Sequence, residues 1–476
     1  MNPATEPAPL TQRWQERIAQ SRFFTFSLLL HVIVVMLVGG AVLFRHAPPA
    51  PDFASPSGEI LNEETLPQPP VDPPPNFANA SEVATAAPIA APAITTVIAT
   101  NFAIARPALG LTQFKMKIPA DAGLCTPLPE GAPTARVPAA MAARLGARER
   151  MAAARITGGG EKSEKAVMAG LRWLQAHRNA DGSWSDEFRP AMTGLALLAF
   201  FGHGELPESP EFGETVKTAL DWVLARGSEF ESHMSLTKDG WGGMAGVYEH
   251  AILTCAMGEY FSMTHDERFE PLLRKAVGYI VDGQNPLGGW DYQYAKGARN
   301  DLSVAGWQIQ ALKAAHLTGL AIPGVDEALD RSMGFLKKWQ GSEGGFGYDR
   351  PDNRVSLTGV GVLCTFFWTQ DKDRSVRDGI AFLLSKAKVE YNGADADLYG
   401  WYYDTQACLM FGGSAWTKWN RMFQDEIANN QAADGSWPAT KGAHLQPKPD
   451  GAGPFYRTTL CVLMLEVFYR YAPINR

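Results

Sequence analysis

From about Glu161 onward, apolar residues recur with helical spacing, and Gly-rich turns interrupt them at long, regular intervals. The turns align when each is ended on its aromatic residue: Gly182-Ser183-Trp184, Gly240-Trp241, Gly288-Gly289-Trp290, Gly344-Gly345-Phe346 and Gly435-Ser436-Trp437. The first four aromatics lie 57, 49 and 56 positions apart, and the last gap of 91 holds a divergent unit around Trp401. A period near 50 leaves room for two helices and their turns. Within a unit, a first helix such as 275–280 runs into the turn and a second, more apolar helix such as 303–312 follows. Six second helices are predicted, near Thr193, Glu249, Val304, Thr358, Asp404 and Thr458. Helix pairs that cannot bury their apolar faces alone must stack or close, and six pairs in this length suit a closed ring. The prediction is an all-α fold, an (α/α)6 toroid of six helical hairpins over residues 161–476.

The pattern before the repeats differs. Residues 23–44 form one apolar run without a charge, long enough at 1.5 Å per residue to reach roughly 33 Å and cross a bilayer core. Arg13, Arg17 and Arg22 precede it, and only Arg45 follows it before Arg106. That asymmetry places residues 1–22 in the cytoplasm and the bulk of the chain outside, as a single-pass inner-membrane protein with a periplasmic domain. A cleaved signal peptide is the competing reading, since Gly39-Gly40-Ala41 is small, but its apolar region is usually shorter. Residues 45–138 are rich in Pro and Ala and read as a semi-rigid spacer. Residues 139–160 carry Arg144, Arg148, Arg150 and Arg155 on a short basic helix ended by Gly158-Gly159-Gly160.

Composition narrows the function. The formal charge of -7, from 43 basic and 50 acidic residues, offers no basic field for nucleic acid. The five Cys have no CxxC spacing and sit mostly in apolar runs, as small buried hydrophobes do. No cofactor or metal motif is present in the ring.

The repeats resemble the QW motifs of the squalene-cyclase/prenyltransferase family. There a basic residue, a small residue, an aromatic and an aliphatic precede Gln-x-x-x-Gly-x-Trp. Lys275-Ala276, Tyr279-Ile280, Gln284, Gly288 and Trp290 fill every slot. Arg331-Ser332, Phe335-Leu336, Gln340, Gly344 and Phe346 nearly do, and Gln431, Gly435 and Trp437 match with Glu426 at the aromatic slot. Lys165-Ala166, Gly182 and Trp184 match with Arg178 in place of Gln. These residues are read as staples between units: Gln bonding backbone groups left unpaired at a neighbouring helix end, and Trp burying on the order of 5 kcal/mol of apolar surface as an upper bound. The pair Ser27 and His31, one helical turn apart in the apolar run, is similar to the anchor of TonB-type energy transducers, which contact a proton-driven motor complex. A tolerated polar position is the alternative.

The resemblance also implies that second helices line the centre and that their N-terminal ends carry the functional groups. The candidates are Tyr248, Glu249, His250, Asp301, Trp307, Trp401, Tyr402, Asp404, Tyr456 and Arg457, with Tyr403 and Phe455 beside them. Aromatic side chains around a few polar groups suit an apolar or isoprenoid-like ligand, or a partner. A terpenoid cyclase would need an acid to protonate an alkene and aromatic faces to hold carbocations. Its Asp-x-Asp-Asp motif is incomplete here: Asp395 and Asp397 are present, and Leu398 stands in the third acidic place. Asp397 is alternatively a helix cap. A prenyltransferase zinc site of Asp-x-Cys is absent; Asp404, Cys408 and His444 only imitate it. A carbohydrate-active enzyme pairing Glu249 with Asp301 or Asp404 on a glycan is a further reading.

Overall fold

The computed structural model describes residues 137–229, 246–297, 299–442 and 445–471. The apolar run with Ser27 and His31, most of the Pro/Ala-rich spacer, Trp241 and His444 lie outside the described residues. None of the described helices is long and apolar enough to cross a membrane.

The described chain is helical, and the helices alternate in character. The first helices of the hairpins are α2 (Glu161–Ala176), α4 (Gly213–Glu229), α6 (Glu270–Gly283), α8 (Val325–Trp339), α10 (Arg374–Lys386) and α12 (Gly413–Asn429). Each is amphipathic: α8 buries Val325, Ala328, Leu329, Ser332, Phe335, Leu336 and Trp339, one stripe at three- and four-residue spacing. The second helices are α3 (Arg189–Gly202), α5 (Gly246–Thr264), α7 (Leu302–Leu317), α9 (Val355–Thr369), α11 (Leu398–Phe411) and α13 (Gly453–Leu465). These are covered on every side; α5 is buried from Gly246 through Met263. A helix apolar all round belongs in the middle of a structure. Accordingly α3, α5, α7, α9, α11 and α13 pack each on the next, α13 returns to α3, and the first helices form the outer layer. The result is a closed α/α toroid of six hairpins.

Local sequence fixes the joints. Gly288 and Gly435 stand at φ +93° and +96°, where a side chain is strained. A Cβ on Gly288 would lie 2.2 Å from the Arg331 carbonyl oxygen, and one on Gly435 2.3 Å from that of Ala169. Each turn is thus pressed onto the following outer helix, and Gly435 onto α2 closes the ring. Gln284 Nε2 donates to the carbonyls of Gly288 and Ala328, both at 2.8 Å. Gln340 does the same to Gly344 (2.9 Å) and Ser375 (2.8 Å), and Gln431 to Gly435 (2.9 Å) and Ala166 (2.8 Å). Arg178, in the Gln slot of the first unit, reaches Thr218 on α4.

One expectation is corrected. The Gln side chains bond carbonyls within the neighbouring helix, not groups left unpaired at its end. Carbonyls in the last helical turn are met by the indoles: Trp184 Nε1 donates to Leu174, Trp290 to Ile280 and Trp437 to Ile427, at 2.8, 2.8 and 2.7 Å. Each acceptor lies in the last turn of the outer helix ten residues upstream, so the indole caps that helix while it is buried. Phe346, without an N–H, supplies only the apolar part.

The basic segment divides into a 3-10 turn (Ala139–Arg144) and α1 (Ala147–Thr157), ended by Gly158 at φ +91°. Both lie against α14 (Val467–Arg470). Arg144 is fully buried, whereas Arg148 and Arg155 are exposed.

Candidate functional site

The inner helices run in one direction, so their N-terminal ends meet at one mouth of the ring. Asp301 caps α7 there: its Oδ1 accepts the backbone N–H groups of Ser303 (2.9 Å) and Val304 (3.3 Å) and the Ser303 hydroxyl (2.6 Å). The Ser303 and Tyr248 hydroxyls are 2.7 Å apart, those of Tyr248 and Tyr292 3.5 Å, and those of Tyr292 and Tyr348 2.7 Å. Burial, with the Asp301 charge adding, raises the Tyr348 phenol. Four hydroxyls therefore run in a chain from the Asp301 carboxylate across the mouth.

Asp301, Ser303 and Tyr248 are buried at the inner end of the chain, and Tyr292 and Tyr348 are partly exposed at the rim. Arg299 stands over both rim tyrosines, 5.3 Å from the Tyr292 ring centre and 5.8 Å from that of Tyr348. It also pairs with Asp291 and, at 3.4 Å, with Asp301 Oδ2. Burial raises the Asp301 carboxyl above its ordinary range, against the hydrogen bonds it accepts. Burial, with the Asp301 charge adding, pushes the Tyr292 phenol up to about 12.

Below the mouth the centre is packed with aromatic side chains. Trp307 stacks on Tyr402 with ring centres 5.7 Å apart and planes at 15°, and Tyr403 meets Trp307 edge-on at 6.0 Å. Gln310 donates to the Tyr403 hydroxyl at 2.9 Å and accepts from that of Tyr402 at 3.2 Å. Trp307, Tyr402 and Tyr403 are each at most 1% exposed, so these rings are covered by one another and by their neighbours. Trp307 Nε1 is buried there with no acceptor among the described residues.

The structure scatters the other residues singled out in the sequence. His250 points outward, its Nε2 2.9 Å from the Ala276 carbonyl of α6. Trp401 also turns outward and donates to Lys388. Arg457 clasps the loop before α13 through the carbonyls of Trp437, Gln446 and Lys448. Phe455 lies against Trp173 of α2, and Tyr456 is buried. Asp395 is exposed; Asp397 accepts the Gly400 N–H at 3.0 Å and caps α11. Asp404 is buried against Gly359, its Oδ1 without a partner, and burial followed by the charge of Asp397 raises its carboxyl far above the usual range. Glu249 is 4% exposed and makes no hydrogen bond among the described residues; burial pushes it up to about 7. No group of three or more His, Cys, Asp or Glu residues among those described could hold a metal ion.

Tyr292, Tyr348, Ser303 and Arg299 were not singled out in the sequence. The signal lay in the repeat, because Tyr292 and Tyr348 each stand two residues after a repeat aromatic, Trp290 and Phe346.

Closed ring, capped turns and Gln staples define an α/α toroid with repeats of the squalene-cyclase/prenyltransferase type. No protein-family model matches the chain. Over 178 residues, 32% of the chain, it is 25% identical to the squalene–hopene cyclase of Bradyrhizobium diazoefficiens, and it spans about a quarter of that enzyme's length (26%). Among solved structures it is similar to the GH76A alpha-1,6-mannanase from Salegentibacter sp. HEL1_6, with a TM-score of 0.48 and 10% identity over 64% of this chain and 98% of that one. The apo type II terpene cyclase MstE from Scytonema gives 0.43 and 13% over 64% and 98%.

Proposed function

We propose that this protein is a membrane-tethered, extracytoplasmic binding module that takes an apolar, isoprenoid-like ligand at the aromatic mouth of its ring. The observation that carries this reading is the rim itself. Tyr292 and Tyr348 present partly exposed faces, while their hydroxyls bond each other and their rings are held by Arg299. Rigid aromatic faces bind apolar surface at little entropic cost, and the guanidinium above them is already committed to two carboxylates. The tether rests on the charge-free run 23–44 and its flanking arginines; through His31 that run is also proposed to meet a proton-driven motor.

Mass spectrometry of solvent extracts from the purified full chain tests the main reading. A co-purified polyprenyl compound, with affinity for added geranylgeraniol falling about tenfold in Tyr348→Ala, is the expected result. An empty protein that binds no polyprenol, or a variant that binds as well as the parent, sinks it.

The similarity to squalene–hopene cyclase favours a second reading, protonation of a polyprenyl alkene. The exposed Asp395 and the capping Asp397 are poorly placed as donors in a dry pocket, and the buried Asp404 holds its proton more readily. Under this reading the wild type turns over a polyprenyl substrate and Asp404→Asn abolishes turnover while Asp397→Asn retains it. No turnover by the wild type rules it out.

A further inference from the structure

At the far end of the ring, where the inner helices terminate, three basic side chains gather around Glu259 and Tyr471. Glu259 of α5 accepts from Arg144 Nη1 at 2.7 Å, from Arg470 Nη2 at 3.0 Å and from the Tyr471 hydroxyl. One carboxylate thereby serves two guanidiniums. Burial works to raise Glu259, and the two arginines overcome it, holding it near 2. Lys313, in the C-terminal half of α7, is the third basic side chain. Its Nζ lies 3.0 Å from the Phe367 ring centre and 4.6 Å from that of Tyr471, and it has no ion pair or hydrogen bond among the described residues.

A second acid, Glu466, is fully buried against Gly202, neither of its carboxyl oxygens has a hydrogen-bond partner among the described residues, and burial, opposed by the charges of Arg470 and Arg144, raises it well above the usual range. Glu164 is committed to Arg150 (3.2 Å) and His203 (3.1 Å), and Glu205 to His203 (2.7 Å). Arg144 Nη2 and Arg470 Nε are buried with no acceptor among the described residues, and both side chains are at most 2% exposed. Buried charge in proteins is normally paired, and Lys313 has no carboxylate partner among the described residues.

We propose that the far end of the ring is a binding site for a small organic anion, a carboxylate on an apolar body, with Lys313 as its cation and Phe367 and Tyr471 as its apolar wall. Lys313 is the partly exposed member of the cluster, so an anion reaches it without displacing the Arg144–Glu259–Arg470 core. Phe367 is partly exposed beside it.

The protonation of Lys313 supports the same site. Burial, with Arg470 and Arg144 adding to it against Glu259 and Cys255, brings the amine down to about 7. The aromatic faces favour its charged form. Of the other groups facing Lys313, Cys255 and Cys364 are raised to about 12, Tyr471 is raised well above the ordinary phenol, and Glu259 stays near 2. Lys313 alone among them titrates around neutrality. A bound carboxylate favours the ammonium, so binding above pH 7 draws in a proton and weakens about tenfold per pH unit.

Calorimetric titration of the full chain, in an uncharged detergent, with 1-naphthoate tests this, using buffers of different ionisation heat at pH 6 and pH 8. Uptake approaching one proton per anion is expected at pH 8 and close to none at pH 6. The neutral 1-naphthalenemethanol should bind at least tenfold more weakly. Lys313→Arg should keep binding without the proton uptake, and Lys313→Met should weaken it at least tenfold. Absence of naphthoate binding, equal binding of the alcohol, or a Lys313→Met protein that binds like the parent overturns the proposal.

Discussion

The two ends of the ring solve the same problem with different chemistry. At the mouth, the buried Asp301 carboxylate is met mainly by neutral donors, two backbone N–H groups and the Ser303 hydroxyl, with the Arg299 guanidinium 3.4 Å from its other oxygen. At the far end, a single buried carboxylate is satisfied by two guanidiniums and a phenol. The consequences for protonation run in opposite directions. Burial prevails at Asp301 and raises it; charge prevails at Glu259 and lowers it to about 2. The mouth is therefore a rigid, nearly neutral rim suited to apolar surface, and the far end is a charged seal contributed by both ends of the domain.

The largest break in this comparison comes from Glu259→Ala. It leaves Arg144 and Arg470 buried without their shared partner, and a loss of about 3–5 kcal/mol in urea unfolding is expected. Asp301→Ala, which removes helix-capping bonds but no partner of a buried cation, should cost roughly half as much. Equal losses would erase the distinction.

Titration sharpens it. Glu259, held near 2, contributes stability that is fully present above its unfolded value of about 4.5 and is lost as pH falls through 2. Glu249, near the mouth and raised to about 7, works in the opposite sense: its contribution is complete below about 4.5 and is lost as pH rises through 7. That loss amounts to roughly 3 kcal/mol in the alkaline limit. Glu249→Gln should flatten the stability profile between pH 5 and 8 and leave the acid limb in place. A profile of unchanged slope would show that the carboxyl is not desolvated.

A smaller effect is expected at the seam joining the two ends of the domain. Gly435→Ala forces a side chain into positive φ and against the Ala169 carbonyl, and should cost about 2–3 kcal/mol. The smallest is Tyr348→Phe, which removes the last hydroxyl of the chain without emptying its space and should cost about 1 kcal/mol. A circular dichroism melt comparing the two variants checks the order; a Phe variant less stable than the Ala variant reverses it.

Much of the ring is legible in the amino-acid order. The aromatic turns, the Gln slots and the apolar second helices are local patterns, and the six second helices lie where the spacing placed them. The capping of α11 by Asp397 also follows from a residue type standing just before a helix. Site residues were harder to read, because a helix buried on every side gives no periodic sign of which side chains face the centre. Thus His250 and Trp401 turn outward while Tyr248 and Trp307, on equivalent helices, turn inward.

The sequence by itself determined that six hairpins exist and about where the second helix of each lies, since glycines needing positive φ and indoles reaching ten residues back act over short separations. Only the tertiary structure decided which residues meet across the closed ring. Tyr292 finds Tyr348 at a separation of 56, Arg144 finds Glu259 at 115, and Arg144 reaches the Arg470 carbonyl at 326. Closure turns such distant residues into neighbours, and it does so through packing spread over the whole inner layer. No short stretch of sequence carries that information.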